Sequence, residues 1–189
     1  MNEQIANKLP DYGTRSGEIT IFAGPCSVES EEQFDEVAEC IAGLGLTWVR
    51  GGAFKPRTNP HSFQGLGEEA LQIMKASGEK WGLKTLTEVM DSAHCELVHS
   101  YVDGLQVGAR NFQNFSLLKN IGIVTAESHK MVLYKRGFAG TIAEWLAATD
   151  YLTAEGNDNV VLCERGIRTF ETATRFTLDI SAVPVIHKQ

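Results

Sequence analysis

Residues Ile19–Gly52 read ITIFAGPCSVESEEQFDEVAECIAGLGLTWVRGG, and this stretch decides the fold. Ile19–Ala23 is a short apolar run closed by Gly24-Pro25, the signature of a strand entering a loop. Ser30–Leu44 then carries Phe34, Val37, Ala38, Ile41 and Ala42 at helical spacing. Ser30 is suited to cap that helix, with Gln33 three positions on. Gly43 and Gly45 fit its end. Thr47–Arg50 returns to a strand pattern. The unit is therefore strand, helix, strand, with polar residues gathered where the strands end.

The same cycle continues along the chain. A helix is expected over Gly67–Ser77, a strand over Lys84–Val89, and a helix over Ser92–Tyr101. Strand Gly104–Val107 is followed by helix Asn114–Asn120, strand Met131–Lys135 by helix Thr141–Thr153, and strand Val160–Cys163 by a last short helix, Thr177–Val183. Strands alternating with helices imply a parallel sheet with right-handed crossovers. An open doubly wound sheet and a closed barrel both fit this alternation. The dinucleotide fingerprint GxGxxG is absent after the first strand, as is the P-loop GxxxxGK[ST]. Chemistry-bearing side chains follow strand after strand: Cys26, Arg50 with Lys55, Glu88, Arg110, Lys135, and Glu164 with Arg165. Function at the C-terminal ends of many strands is the pattern of a TIM barrel. The expected fold is thus an α/β, TIM (β/α)8-type barrel. It is incomplete, with about six β-α units where a closed barrel needs eight. The 189 residues are expected to form a single, partial barrel domain without an N-terminal regulatory domain.

Composition narrows the partners. The chain is 43% hydrophobic and 22% charged, as in ordinary globular proteins, and its net charge of −7 argues against a nucleic-acid surface. A local cluster of Arg and Lys can still dominate a cleft for a small anion. No run approaches the roughly 18 apolar residues of a membrane span, and the N-terminus lacks an apolar signal core, so a cytoplasmic protein is expected. The four cysteines, Cys26, Cys40, Cys95 and Cys163, form no CxxC pair and read as thiols.

Two loops carry the densest chemistry. In Lys55-Pro56-Arg57-Thr58, two cations and a hydroxyl lie within four residues on a loop stiffened by Pro56 and Pro60. Arg offers a planar fork for phosphate, Lys a point charge and Thr a donor. In Gln106-Val107-Gly108-Ala109-Arg110-Asn111, small residues let backbone N–H groups approach an anion that Arg110 can bind. Lys135-Arg136 and Glu164-Arg165 repeat the theme. Together they predict a cleft for substrates bearing phosphate and carboxylate groups. Cys26, after Gly24-Pro25, is open to three readings: core residue, nucleophile or metal ligand.

These motifs, in this order and spacing, resemble the 3-deoxy-D-arabino-heptulosonate 7-phosphate (DAHP) synthases of the type I beta class. The resemblance runs from about Ile19 to His187. It rests on Gly24-Pro25-Cys26-Ser27-Val28-Glu29, Lys55-Pro56-Arg57-Thr58, Gln64-Gly65-Leu66-Gly67, Gly108-Ala109-Arg110-Asn111, Leu133-Tyr134-Lys135-Arg136-Gly137 and Cys163-Glu164-Arg165-Gly166-Ile167-Arg168-Thr169. It implies a metal-dependent condensation of phosphoenolpyruvate with erythrose 4-phosphate, giving DAHP and phosphate at the start of the shikimate route to aromatic amino acids. It implies Cys26 as a ligand of a divalent metal of the Mn, Fe, Zn or Co class. Lys55, Lys135 and Glu88 would be catalytic. Arg50, Lys55, Arg57, Thr58, Gln106, Ala109, Arg110, Lys135, Glu164 and Arg165 would bind substrate, with Arg57 and Thr58 on the aldose phosphate. A homo-oligomer is expected. The family's other metal ligands, a His, a Glu and an Asp, lie beyond the point this chain reaches, and His187 does not match that His. The chain therefore reads as C-terminally truncated, and the alternative is a non-catalytic barrel that keeps phosphoenolpyruvate or phosphate binding. Smaller departures are Asn59 for Ser, Phe112 for Met or Ala, Met131 for Pro, and Phe176 for Asn.

Overall fold

The computed structural model describes residues 19–55, 59 and 61–188. Six strands alternate with helices along them. They are β1 (Phe22–Ala23), α1 (Glu31–Gly43), β2 (Trp48–Arg50), α2 (Glu68–Trp81), β3 (Lys84–Glu88), α3 (Cys95–Tyr101), β4 (Gly104–Val107), α4 (Phe115–Thr125), β5 (Met131–Lys135), α5 (Ile142–Thr153), β6 (Val160–Cys163) and α6 (Ala182–Ile186). The chain divides into two compact units. One holds the described residues through Glu88 with Leu97–Gly104, the other Val89–Glu96 with the described residues from Leu105 onward.

In the first unit β1, β2 and β3 are neighbours in that order and pair in parallel, Phe22 opposite Trp48 and Val49 opposite Thr85. Helices α1 and α2 cover them, burying Phe34, Ala38, Leu71 and Met74 against Val49 and Leu86. Ser30 caps α1 as its sequence suggests, its hydroxyl accepting the Gln33 N–H at 3.1 Å. The helix ends in a Schellman turn: Gly45 takes φ 73°, and the N–H groups of Gly45 and Leu46 close onto the carbonyls of Ala42 and Ile41.

In the second unit β4, β5 and β6 follow in order, and β5 pairs with β6 in parallel, Val132 opposite Val160. Every residue of β4 is buried, whereas β6 is half-buried throughout. Helices α4 and α5 pack together over this core through Leu117, Ile121, Trp145 and Leu152. A capping box starts α5: Thr141 accepts the Glu144 N–H at 3.1 Å, and the Glu144 carboxylate accepts the Thr141 N–H at 2.8 Å. Thr141→Ala removes that cap and should lower stability by about 1 kcal/mol. Urea unfolding checks it, and an unchanged midpoint would count against the cap.

The structure redraws several element boundaries. Only Phe22–Ala23 of the expected first strand pairs, leaving Ile19 and Ile21 exposed. The helix expected over Ser92–Tyr101 opens as a 3₁₀ turn at Ser92–His94, capped by the Asp91 carboxylate. Helix α4 runs to Thr125 rather than Asn120 because Ile121, Gly122 and Thr125 continue the buried face begun by Leu117 and Leu118. The last helix is displaced to Ala182–Ile186. Thr177 is held extended by an antiparallel bridge, exchanging hydrogen bonds of 2.8 and 3.0 Å with Ile167. Among the described residues no helix is long and apolar enough to cross a membrane.

Candidate functional site

In the first unit the ends of β1 and β2 bring the two opening motifs together. Arg50 Nη1 donates to the Pro25 carbonyl at 2.8 Å. Lys55 is buried, and its Nζ donates to the Cys26 carbonyl at 2.5 Å and lies 3.2 Å from Cys26 Sγ. Gly52 makes room for that reach, since a Cβ there would meet Cys26 O and Lys55 Cδ at 2.7 Å. The Val28 N–H closes the loop onto the Gly52 carbonyl at 3.1 Å. Glu88 is half-buried at the end of β3. Arg57 and Thr58 lie outside the described residues.

The second unit holds the other expected groups. Gln106 is buried on β4, and Ala109 and Arg110 begin a 3₁₀ turn directly after it. Lys135 ends β5 half-buried, and Glu164 and Arg165 follow β6. Burial and then the neighbouring Arg175 charge press the Arg165 guanidinium below its ordinary pKa, with Arg110 adding to the repulsion. Its buried Nη1 has no hydrogen-bond partner. A desolvated cation with an unused donor, beside other cations, is a seat for an anion. Burial raises the Cys163 thiol while the Lys135 charge draws it back down. A cavity of about 690 Å³ adjoins this region, with Arg110, Asn111, Asn114, Phe138 and Arg168 in its wall.

Glu164 is committed inside the protein. One carboxylate oxygen accepts from Arg136 Nη1 at 3.0 Å and the other from the Gly166 N–H at 2.5 Å. Arg136 also reaches Asp179 at 2.8 Å, and its Nε donates to the Gly140 carbonyl at 2.9 Å. Burial opposes the Arg136 charge, but Asp179 and Glu164 more than restore it, so its pKa is raised. Sequence reading grouped Arg136 with Lys135 as an anion-binding pair and did not single out Asp179. The available signal was alternation: adjacent residues leaving a strand point to opposite sides, so Lys135 and Arg136 cannot both face one cleft.

A metal site does not form from the described residues. No three of their His, Cys, Asp or Glu side chains gather where they could hold a cation. Cys26 has a lysine ammonium as its neighbour instead.

A model of the DAHP synthetase I family matches residues 12–189. Phospho-2-dehydro-3-deoxyheptonate aldolase of Thermotoga maritima is 49% identical over 187 residues, covering 99% of this chain and 54% of the relative. A 2-dehydro-3-deoxyphosphooctonate aldolase of Caulobacter vibrioides is 30% identical over 181 residues, covering 89% of this chain and 59% of the relative. The crystal structure of the Thermotoga maritima DAHP synthase matches at TM-score 0.83 and 50% identity, over 89% of this chain and 48% of that one. A truncated form of the same synthase matches at TM-score 0.79 and 48% identity, over 89% and 60%. The chain thus spans about half the length of the Thermotoga relative. Its six strand–helix units match part of a TIM-type barrel.

Proposed function

Because the chain belongs to the DAHP synthetase I family, we propose that it carries the phosphoenolpyruvate-binding part of a site that condenses phosphoenolpyruvate with erythrose 4-phosphate. The products would be DAHP and phosphate, at the entry to aromatic amino-acid biosynthesis. One observation carries the reading: the buried, unpartnered Nη1 of Arg165 among neighbouring cations. In the second unit Arg110, Lys135 and Arg165, with the backbone at Ala109 and the Gln106 side chain, would take the phosphate or carboxylate of phosphoenolpyruvate. In the first unit Arg50 and Lys55 would hold the same class of group, with Arg57 and Thr58 for the aldose phosphate. Lys135 would move a proton, and Glu88 would orient the water that attacks C2 as C3 bonds to the aldehyde. Glu164 would act through Arg136 and the Gly166 N–H, shaping the loop that presents Arg165.

Enzymes of this family are generally metal-dependent. A divalent ion in a catalytic site needs about three protein ligands. The described residues do not supply them. Cys26 is one candidate ligand. That same observation favours a second reading, in which this chain binds phosphoenolpyruvate without turning it over. A cytoplasmic homo-oligomer is part of the proposal, supported by the exposed Phe170, Leu178 and Ile180.

Calorimetric titration with phosphoenolpyruvate should give saturable binding that inorganic phosphate competes away. Arg165→Met should weaken it about ten- to a hundredfold, the worth of one hydrogen bond between charged groups. Phosphate release from phosphoenolpyruvate plus erythrose 4-phosphate, with divalent metal added, separates the two readings. Release supports the enzyme, binding without release supports the second reading, and neither binding nor release would overturn both.

A further inference from the structure

The geometry points to Phe176, with Phe138, as a positioning residue: an aromatic shelf that holds the Arg165 guanidinium ready for a phosphate or carboxylate. The inference rests on the anion site proposed above and says how that site keeps its cation both fixed and unspent. Phe138 lies in the loop after β5, and Phe176 in the loop after β6. Their rings stack with centroids 4.8 Å apart and planes 5° from parallel. Arg165 Cζ lies 4.9 Å from the Phe138 centroid and 4.2 Å from that of Phe176. Ile167 bridges Thr177 within the loop after β6, and the Arg168 N–H ties that loop to the loop after β5 by donating to the Phe138 carbonyl at 2.7 Å.

The nature of this contact matters chemically. A long guanidinium side chain has several rotamers to lose on binding an anion, and each lost freedom weakens binding. A carboxylate partner would restrict those rotamers, but it would also occupy the N–H donors and cancel the charge. Arg136 shows that outcome, with Nη1 taken by both Glu164 and Asp179. A ring face restrains the guanidinium plane through cation–π attraction while leaving the in-plane N–H groups open. Arg165 fits this second arrangement, since its buried Nη1 has no partner. Arg175 stands 5.3 Å from the Phe176 centroid and adds positive charge beside the shelf.

The test compares Phe176→Leu and Phe176→Tyr in the full chain, titrated with phosphoenolpyruvate and separately with inorganic phosphate. Leucine keeps apolar bulk and removes the π face, whereas tyrosine keeps both. Phe176→Leu should raise the dissociation constant about fivefold, and Phe176→Tyr should stay within about twofold of the parent. A merely structural role would not be sorted by aromaticity in this way. Wild-type affinity in the leucine variant, or a loss that tyrosine fails to restore, would overturn the shelf while leaving the anion site standing. A parent chain that binds neither probe would overturn the anion site and the shelf with it. The same leucine and tyrosine pair at Phe138 supplies the readout if Phe176→Leu does not fold.

Discussion

Arg136→Met should cost about 3–5 kcal/mol of stability, because it leaves a buried carboxylate without its counter-charge. The side chains of Arg136 and Glu164 are each only 7% exposed, so water does not screen the pair or take over its hydrogen bonds. Methionine fills much of the volume but donates nothing. Glu164 would then keep only its bond to the Gly166 N–H, and Asp179 would lose its partner at 2.8 Å. The Gly140 carbonyl would lose its donor as well. The double variant Arg136→Met, Glu164→Gln should lose markedly less than the single one, since the more deeply buried of the two stranded carboxylates is then neutral. Urea unfolding of the parent, both singles and the double gives the coupling directly. A single-variant loss below about 1 kcal/mol would mean that the pair behaves as a solvated surface bridge.

Gly24→Ala should be about as damaging, for a steric reason. Gly24 adopts φ 142°, and a Cβ built on it would stand 2.0 Å from the Arg50 carbonyl oxygen. Such a contact cannot be relieved by turning a side chain, because the obstacle is the backbone of β2. The ends of β1 and β2 would have to separate, taking with them the Arg50 bond to Pro25 and the Lys55 bond to Cys26. A loss of roughly 3 kcal/mol or more is expected from backbone strain and lost packing together. Gly45→Ala is the control. Gly45 is also left-handed, at φ 73°, but nothing lies within 4 Å of its added Cβ. It should lose only about 1–2 kcal/mol, the conformational part alone. Equal losses in the two variants, read from chemical unfolding, would refute the steric account. Phosphoenolpyruvate titration should show the further difference that Gly24→Ala weakens binding and Gly45→Ala does not.

Much of this molecule was legible in one dimension. Strand Gly104–Val107, strand Met131–Lys135 and the Ser30 cap stand where local pattern puts them, because each depends on neighbours within a few residues. The meeting of Cys26 with Lys55, 29 positions apart, is instead a product of the fold, formed where the parallel strands β1 and β2 end side by side. Thr177 was misread as helical because its conformation is set by Ile167, ten positions earlier, and no local propensity reports that bridge. The family resemblance places Glu164 among the substrate ligands, and only the fold reveals that Arg136 and the Gly166 N–H bond its two carboxylate oxygens.

By itself, then, the sequence determined the alternation of strands and helices, the family, and which residue types stand at the strand ends, since period and motif spacing are properties of the chain. The tertiary structure alone decided how the cations are used. Arg136 and Arg165 are both arginines just past strand ends. One is buried against two carboxylates and the other rests on two rings with a donor to spare. That difference comes from Asp179, Phe138 and Phe176, which reach these arginines only when the chain folds, and a guanidinium's chemistry is set by what surrounds it.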